Sequence, residues 1–150
     1  MPLKRHKALV QLSREHHHAL LLCWKIRNGL KKNIDINRIF NYADWFYINH
    51  LKPHFNIEEK CLFVILGTSH ILISEAISQH KELQMLFEKE ERNISNLILI
   101  AQQLENHVRF EERQVFEEIQ NKASEEQLLS IIKNNIEKEF VENNEDKFWE

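Results

Sequence analysis

Two short segments carry the same arrangement of side chains able to bind a cation. One is His54-Phe55-Asn56-Ile57-Glu58-Glu59, the other His107-Val108-Arg109-Phe110-Glu111-Glu112, and both read H-x-x-x-E-E. Residues four apart on a helix stack on one face, so His54 points with Glu58 and His107 with Glu111. A neutral imidazole nitrogen and a carboxylate oxygen one turn apart can share one metal ion. Both glutamates also fall on stripes that otherwise face inward. A buried carboxylate is costly unless it is neutralised, and cations would neutralise both.

Nine histidines occur in 150 residues: His6, His16, His17, His18, His50, His54, His70, His80 and His107. His16 lies on the apolar stripe Leu12, His16, Ala19, Cys23, Ile26, Leu30, and His80 on the stripe Ile73, Ile77, His80, Gln84, Phe87. Four expected helices thus each offer one inward histidine, and two of them add a glutamate.

Glu15-His16, His54-Phe55-x-x-Glu58-Glu59, Gln79-His80 and His107-x-x-x-Glu111-Glu112 together resemble the hemerythrin-like, or HHE cation-binding, family over about residues 9–120. The resemblance implies an all-α, up-down-up-down four-helix bundle around two iron ions bridged by an oxo or hydroxo group. Its ligands would be His16, His54, Glu58, His80, His107 and Glu111, with both glutamates bridging. Manganese or zinc could occupy the same donors. The oxygen-carrying members place their last carboxylate five residues after the histidine, which would select Glu112. Repetition of the His54–Glu58 spacing selects Glu111.

One departure bears on function. The oxygen carriers have a fifth histidine one turn from the third-helix ligand, where this chain has Ala76 and Gln84. Two octahedral irons offer about twelve positions. Four histidines, two bridging carboxylates and one bridging oxygen fill about ten of these, so about two stay open. Such positions suit O2, NO or peroxide, and an open site is less protected than a reversible carrier needs. His50, one turn before His54, is the candidate to restore the count; otherwise it is a packed histidine near a kink. His17 and His18 are read as surface residues, and Glu59 and Glu112 as facing solvent or pairing with cations such as Arg109 or Arg113. Tyr42 and Tyr47 are read as core.

The elements that must position these residues are helices. Only two Gly and two Pro interrupt the chain, and 43% of residues are hydrophobic against 29% charged, values that suit one helical domain with a real core. The first helix is expected from Ser13 as N-cap to about Lys31, after a lead-in over residues 4–12. The second is expected from Asp35 as N-cap to Leu66, kinked at Pro53 and closed by Gly67. The third starts at Thr68 or Ser69. The fourth, capped by Asn93 or Ser95, runs to about Gln120. Ser124 and Gln127 form a capping-box pattern for a shorter helix over about residues 124–141, carrying Leu128, Ile131, Ile132, Ile136 and Phe140. The polar run Glu142–Asp146 is expected to fray.

The net charge of −3 gives no basic footprint for nucleic acid. No segment is long and apolar enough for a membrane span, and the basic N-terminus lacks the apolar run of a secretion signal. With Cys23 and Cys61 expected as buried free thiols, the expected location is cytoplasmic. The oligomeric state is open. Three functions fit: a di-iron protein that binds, senses or stores O2, NO or iron; a di-iron enzyme acting on peroxide or nitric oxide, or repairing iron-sulfur clusters; and a metal-free helical interaction module. Repair proteins of similar pattern carry an added cysteine-bearing N-terminal region, whereas the lead-in here has no cysteine.

Overall fold

The computed structural model describes residues 5–135 and 138–150. Among them the chain is helical, with no strand. Four long rods supply most of the structure. The first is α1 (Lys7–Lys31). The second begins with α2 (Ile36–Phe46), continues through a π turn at Tyr47–Leu51, α3 (Lys52–Ile57) and a second π turn at Glu58–Leu62, and ends in the 3₁₀ segment Phe63–Ile65. The third is α4 (Ile71–Glu88). The fourth joins α5 (Ile94–Phe110), a π turn at Glu111–Val115 and α6 (Phe116–Lys122). A shorter helix, α7 (Glu125–Asn134), follows. α1 packs along α5 and also touches α2 and α7, while α4 packs along α5. No described helix is long and apolar enough to cross a membrane.

Caps fix where the rods begin. Asp35 accepts from the Asn37 amide at 2.9 Å, and Asn93 from the Asn96 amide at 2.8 Å. Ser124 and Gln127 form the reciprocal capping box expected from their spacing. Two starts differ from expectation. α1 begins six residues before Ser13, capped by His6 Nδ1 on the Ala8 amide, and α4 is capped by His70 Nδ1 on the Leu72 amide rather than by Thr68 or Ser69. Imidazole Nδ1 sits as many bonds from the backbone as an Asp carboxylate oxygen, so a neutral histidine can take the place usually held by Asp or Asn. Gly67 closes the second rod at φ 88°, the left-handed conformation expected there, and its amide donates to the Phe63 carbonyl at 2.9 Å. Pro53 does not break that rod. Its missing N–H and its clash with the preceding turn are absorbed by the wider π turn at Tyr47–Leu51.

The apolar interior is divided in two. One cluster holds Leu22, Ile26, Phe46, Leu51, Leu83, Leu97 and Leu104 among others. The other holds Leu9, Leu12, Leu62, Phe63, Ile73, Val115 and Phe116. On each rod the inward histidine falls between a residue of one cluster and a residue of the other, as His16 does between Leu12 and Ala19. A polar layer therefore lies between two dry ones. On α4, the inward positions beside His80 are Ala76 and Leu83; Ile77 is only half-buried and Gln84 is exposed.

The C-terminal region departs most from expectation. α7 stops at Asn134, Ile136 lies outside the described residues, and Phe140 is beyond the helix. The run after Phe140 does not fray. Arg38 holds Asp146 with two hydrogen bonds of 2.7 and 2.8 Å, and Phe148 is buried against the first cluster. Gly29 is what admits Phe148, because a Cβ there would lie 2.8 Å from its ring. Cys23 is buried and Cys61 half-buried, both as free thiols.

Candidate metal centre

The polar layer brings together all six side chains singled out by spacing. His16, His54, His80, His107, Glu58 and Glu111 come from four rods and are each at most 4% exposed, both glutamates at 0%. They form two overlapping groups. His16, His54, Glu58 and Glu111 make one; His80, His107, Glu58 and Glu111 make the other. Within each, the candidate ligand atoms lie within 4.8 Å of one another. Both glutamates belong to both groups. Glu58 places one oxygen 3.3 Å from His54 Nε2 and the other 3.1 Å from His80 Nε2. Glu111 Oε1 lies 2.9 Å from His16 Nε2 and 3.1 Å from His107 Nε2, and its Oε2 lies 3.6 Å from His80 Nε2.

Every ring is held from behind. Nδ1 of His54 meets Glu15 at 2.7 Å, Nδ1 of His16 meets Glu112 at 2.6 Å, Nδ1 of His80 meets Glu59 at 2.9 Å, and Nδ1 of His107 meets Gln79 Oε1 at 2.7 Å. Each partner is an acceptor, so each Nδ1 must carry the proton. In the neutral ring this leaves Nε2 as a bare lone pair, and all four Nε2 atoms face the centre. Two of them, on His16 and His54, are 3.1 Å apart. Two lone pairs at that distance repel unless a proton or a cation lies between them. Neighbouring donors about 2.1 Å from one metal ion, at right angles, stand about 3.0 Å apart. His16 Nε2 also meets Glu111 Oε1 at 2.9 Å, while both Glu58 oxygens, Glu111 Oε2, His80 Nε2 and His107 Nε2 are without aligned hydrogen-bond partners. Buried polar atoms are almost always paired, and these two groups of inward donors could hold a metal ion.

Without a cation, protons take over the role. Burial disfavours a charged His54, yet Glu58 and Glu15 outweigh it and raise the ring to about 10. His80 is raised well above its usual value against the same penalty, by Glu111, Glu58 and Glu59. Burial works against ionisation of Glu111 too, and the surrounding His107, His16 and His80 hold it well below the usual carboxylate range. Metal binding must displace protons from such a site.

Local backbone geometry follows the same residues. The carbonyls of Glu58 and Glu111 each accept a hydrogen bond from five residues ahead, from Phe63 and Phe116, and so open the two π turns. π turns of this kind occur often at functional sites.

The outer partners revise several readings. Glu59 and Glu112 do not simply face solvent or pair with Arg109 and Arg113. Glu59 braces His80. Glu112 braces His16 and is itself held by Ser13 Oγ at 2.9 Å and Arg5 Nη2 at 3.3 Å. Arg109 pairs instead with Glu105. Of the two candidates in the fourth rod, Glu111 faces the centre and Glu112 does not. Glu15 and Gln79 were missed as bracing residues, although both stand next to a histidine in the pattern. His50 belongs to neither group; it packs on Trp45, Phe46 and Phe140. His17 is exposed, and His18 stacks on Phe140 at 4.1 Å. Around His80 no fifth histidine stands: Ala76 is buried in the apolar cluster, and the Gln84 amide donates to Glu88. Tyr47 stacks on Phe87 in the core.

No family model, no curated protein and no solved structure matches this chain.

Proposed function

We propose that this protein is a hemerythrin-like di-iron protein, its four rods an up-down-up-down four-helix bundle that binds O2, NO or peroxide, or stores iron. The observation that carries the reading is the facing pair of His16 and His54 Nε2 atoms, 3.1 Å apart, with both Nδ1 atoms already engaged by carboxylates. His16 and His54 would hold one iron, His80 and His107 the other, and Glu58 and Glu111 would span both.

Imidazole and carboxylate donors in a mixed set suit iron, with manganese and zinc as competitors. When bound, the pair supplies redox chemistry and open coordination positions. The chain's own residues do the rest. Glu15, Glu112, Glu59 and Gln79 fix the tautomer and direction of the four rings. The two apolar clusters flank the layer on either side.

The test is metal analysis of protein purified with iron, with an optical spectrum recorded reduced and again after exposure to air. Two irons per chain and a near-ultraviolet band that grows with oxygen support the reading. Absence of bound metal rejects it in favour of a metal-free helical module. Turnover of peroxide by the iron-loaded protein would assign an enzyme rather than a binder.

A further inference from the structure

Arg5 lies at the head of α1, and its neighbour His6 fixes its place. The His6 amide donates to Gln120 Oε1 on α6 at 2.7 Å, while the His6 ring caps α1. From there the half-buried Arg5 guanidinium reaches three acceptors on the fourth rod. Nη2 donates to the Glu112 carbonyl at 2.9 Å and to the Glu112 carboxylate at 3.3 Å, and Nη1 donates to Glu117 Oε1 at 3.3 Å. That carbonyl belongs to the π turn at Glu111–Val115, so the same fork holds the turn that carries Glu111. A planar guanidinium serves several acceptors from one orientation, whereas an ammonium is a point charge on a flexible stem.

Two routes lead from Arg5 to His16. One is polar. Glu112 Oε2 accepts from His16 Nδ1 at 2.6 Å, and Ser13 Oγ donates to the same carboxylate at 2.9 Å. Burial opposes ionisation of Glu112, yet His16, Ser13 and Arg5 outweigh it and hold the carboxyl below its usual range. The acceptor behind His16 is therefore charged. The other route is a stack of side chains. The Arg5 guanidinium lies 5.6 Å from the centre of the Phe116 ring, within reach of a cation–π contact. His16 in turn stacks on Phe116, with ring centres 5.1 Å apart and planes 15° apart. Glu112 thus aims the edge of the imidazole, Phe116 supports its face, and Arg5 touches both. By contrast, Glu15 behind His54 accepts from the neutral Gln11 amide at 3.1 Å.

We infer that Arg5 is a positioning residue for His16, holding Glu112 and Phe116, the two side chains that fix the direction of that ring. Its effect on the ring stands on these contacts alone; its effect on metal affinity rests on the function proposed above. A residue that only fastened the lead-in to the fourth rod would bear on all four rings alike. A positioning residue singles out His16.

The test is Arg5→Gln in the full chain, beside Arg5→Lys, which keeps the charge and loses the fork. The Nδ1–H resonances of the four rings are followed by heteronuclear NMR in the metal-free protein and again with zinc, a diamagnetic ion. Zinc affinity is measured by titration. In Arg5→Gln the His16 resonance is expected to shift or broaden while those of His54, His80 and His107 stay in place. One zinc equivalent is expected to weaken about tenfold, the lower end of what changes to the partners of a ligating imidazole produce, with the other unchanged. Arg5→Lys is expected to give the same pattern with a smaller shift, and it carries the test if Arg5→Gln does not fold. Four resonances that move together overturn the inference. So does a His16 resonance that stays in place in both variants. Two zinc equivalents of unaltered affinity, with that resonance in place, reject the role of Arg5 and leave the metal centre standing. A shift of His16 alone, in a protein that takes up neither zinc nor iron, upholds the role of Arg5 and rejects the di-iron reading.

Discussion

Two buried polar clusters sit in this helical core, and they solve the cost of burial in opposite ways. In the first, Lys25 donates to Tyr42 Oη at 2.8 Å and to Glu142 at 2.6 Å, Tyr42 Oη also donates to Glu142, and the ammonium rests 4.0 Å from the Trp149 ring centre. Donors match acceptors, and one positive charge answers one negative. In the second, four imidazoles present lone pairs to two carboxylates that have nothing to donate. The first cluster is complete as a polypeptide. The second is complete only with protons or metal. Burial and charge alone do not separate a functional site from a structural one; the balance of donors and acceptors does.

The largest expected effect breaks the second cluster and spares the first. His54→Ala should remove most bound metal. It should also remove the stabilisation that metal gives the folded state, about 4 kcal/mol at a thousandfold excess over its dissociation constant. Metal analysis and thermal unfolding with and without metal check both points. Tyr42→Phe should leave metal content as in the wild type. If it lowered metal content as far as His54→Ala does, the two clusters would not be independent.

Lys25→Met tests the first cluster from its own side. It strips Glu142 of its cation while Glu142 stays partly buried, a loss of about 1–3 kcal/mol. Urea unfolding should show that loss with metal-binding stoichiometry unchanged. An unaltered midpoint would mean that the Lys25–Glu142 pair contributes nothing to stability.

Smaller again is the difference between the two halves of the candidate metal layer. His16 and His54 are both braced by carboxylates, whereas His107 is braced by the neutral Gln79. A carboxylate partner raises the basicity of a ligating imidazole, and changes to such partners shift metal affinity about 10- to 100-fold. Two metal equivalents are therefore expected to load with different affinities. Gln79→Glu should tighten the weaker one about tenfold and bring the two steps together, read by titration with a spectroscopically active divalent ion. Identical loading curves for wild type and variant would remove Gln79 from this role.

The contrast between the clusters also explains what could be read from sequence. Helix-period stripes and caps such as Asp35, Asn93 and Ser124 are local signals, and so is the stacking of residues four apart that placed His54 with Glu58. The convergence of these residues with His16 and His80 was legible because each falls on an apolar stripe. The bracing of one rod's histidine by another rod's neighbour, Glu15 on His54 or Gln79 on His107, is a relation across rods that no single segment encodes. The π turns leave no period of their own, since one extra residue in a long helix shifts a stripe without ending it. The tail was misread for a related reason. Its polar run Glu142–Asp146 has the composition of a frayed end, but Lys25, Tyr42 and Arg38 supply its partners from residues more than 90 positions earlier.

Acid separates the clusters with the least energy at stake. The Glu142 carboxyl is partly buried, which opposes ionisation, yet Lys25 and Tyr42 hold it below its ordinary value. A carboxyl lowered in the folded state adds stability above its unfolded value near 4.5 and loses it as pH falls through the lower folded value. The tail should therefore stay docked at pH 5 and let go only below about 4.5. Metal, held through imidazoles that must be deprotonated, should leave at a higher pH. Trp149 rests on Lys25 and Tyr42, so its fluorescence follows the tail, while metal release is followed separately. Two steps are expected, metal first. Glu142→Gln should weaken the second, leaving the part that Asp146 contributes through Arg38, without moving the first, and Trp149→Phe should remove its optical signal. A single step with both signals moving together would mean that the tail is held by the metal layer and not by its own matched charges.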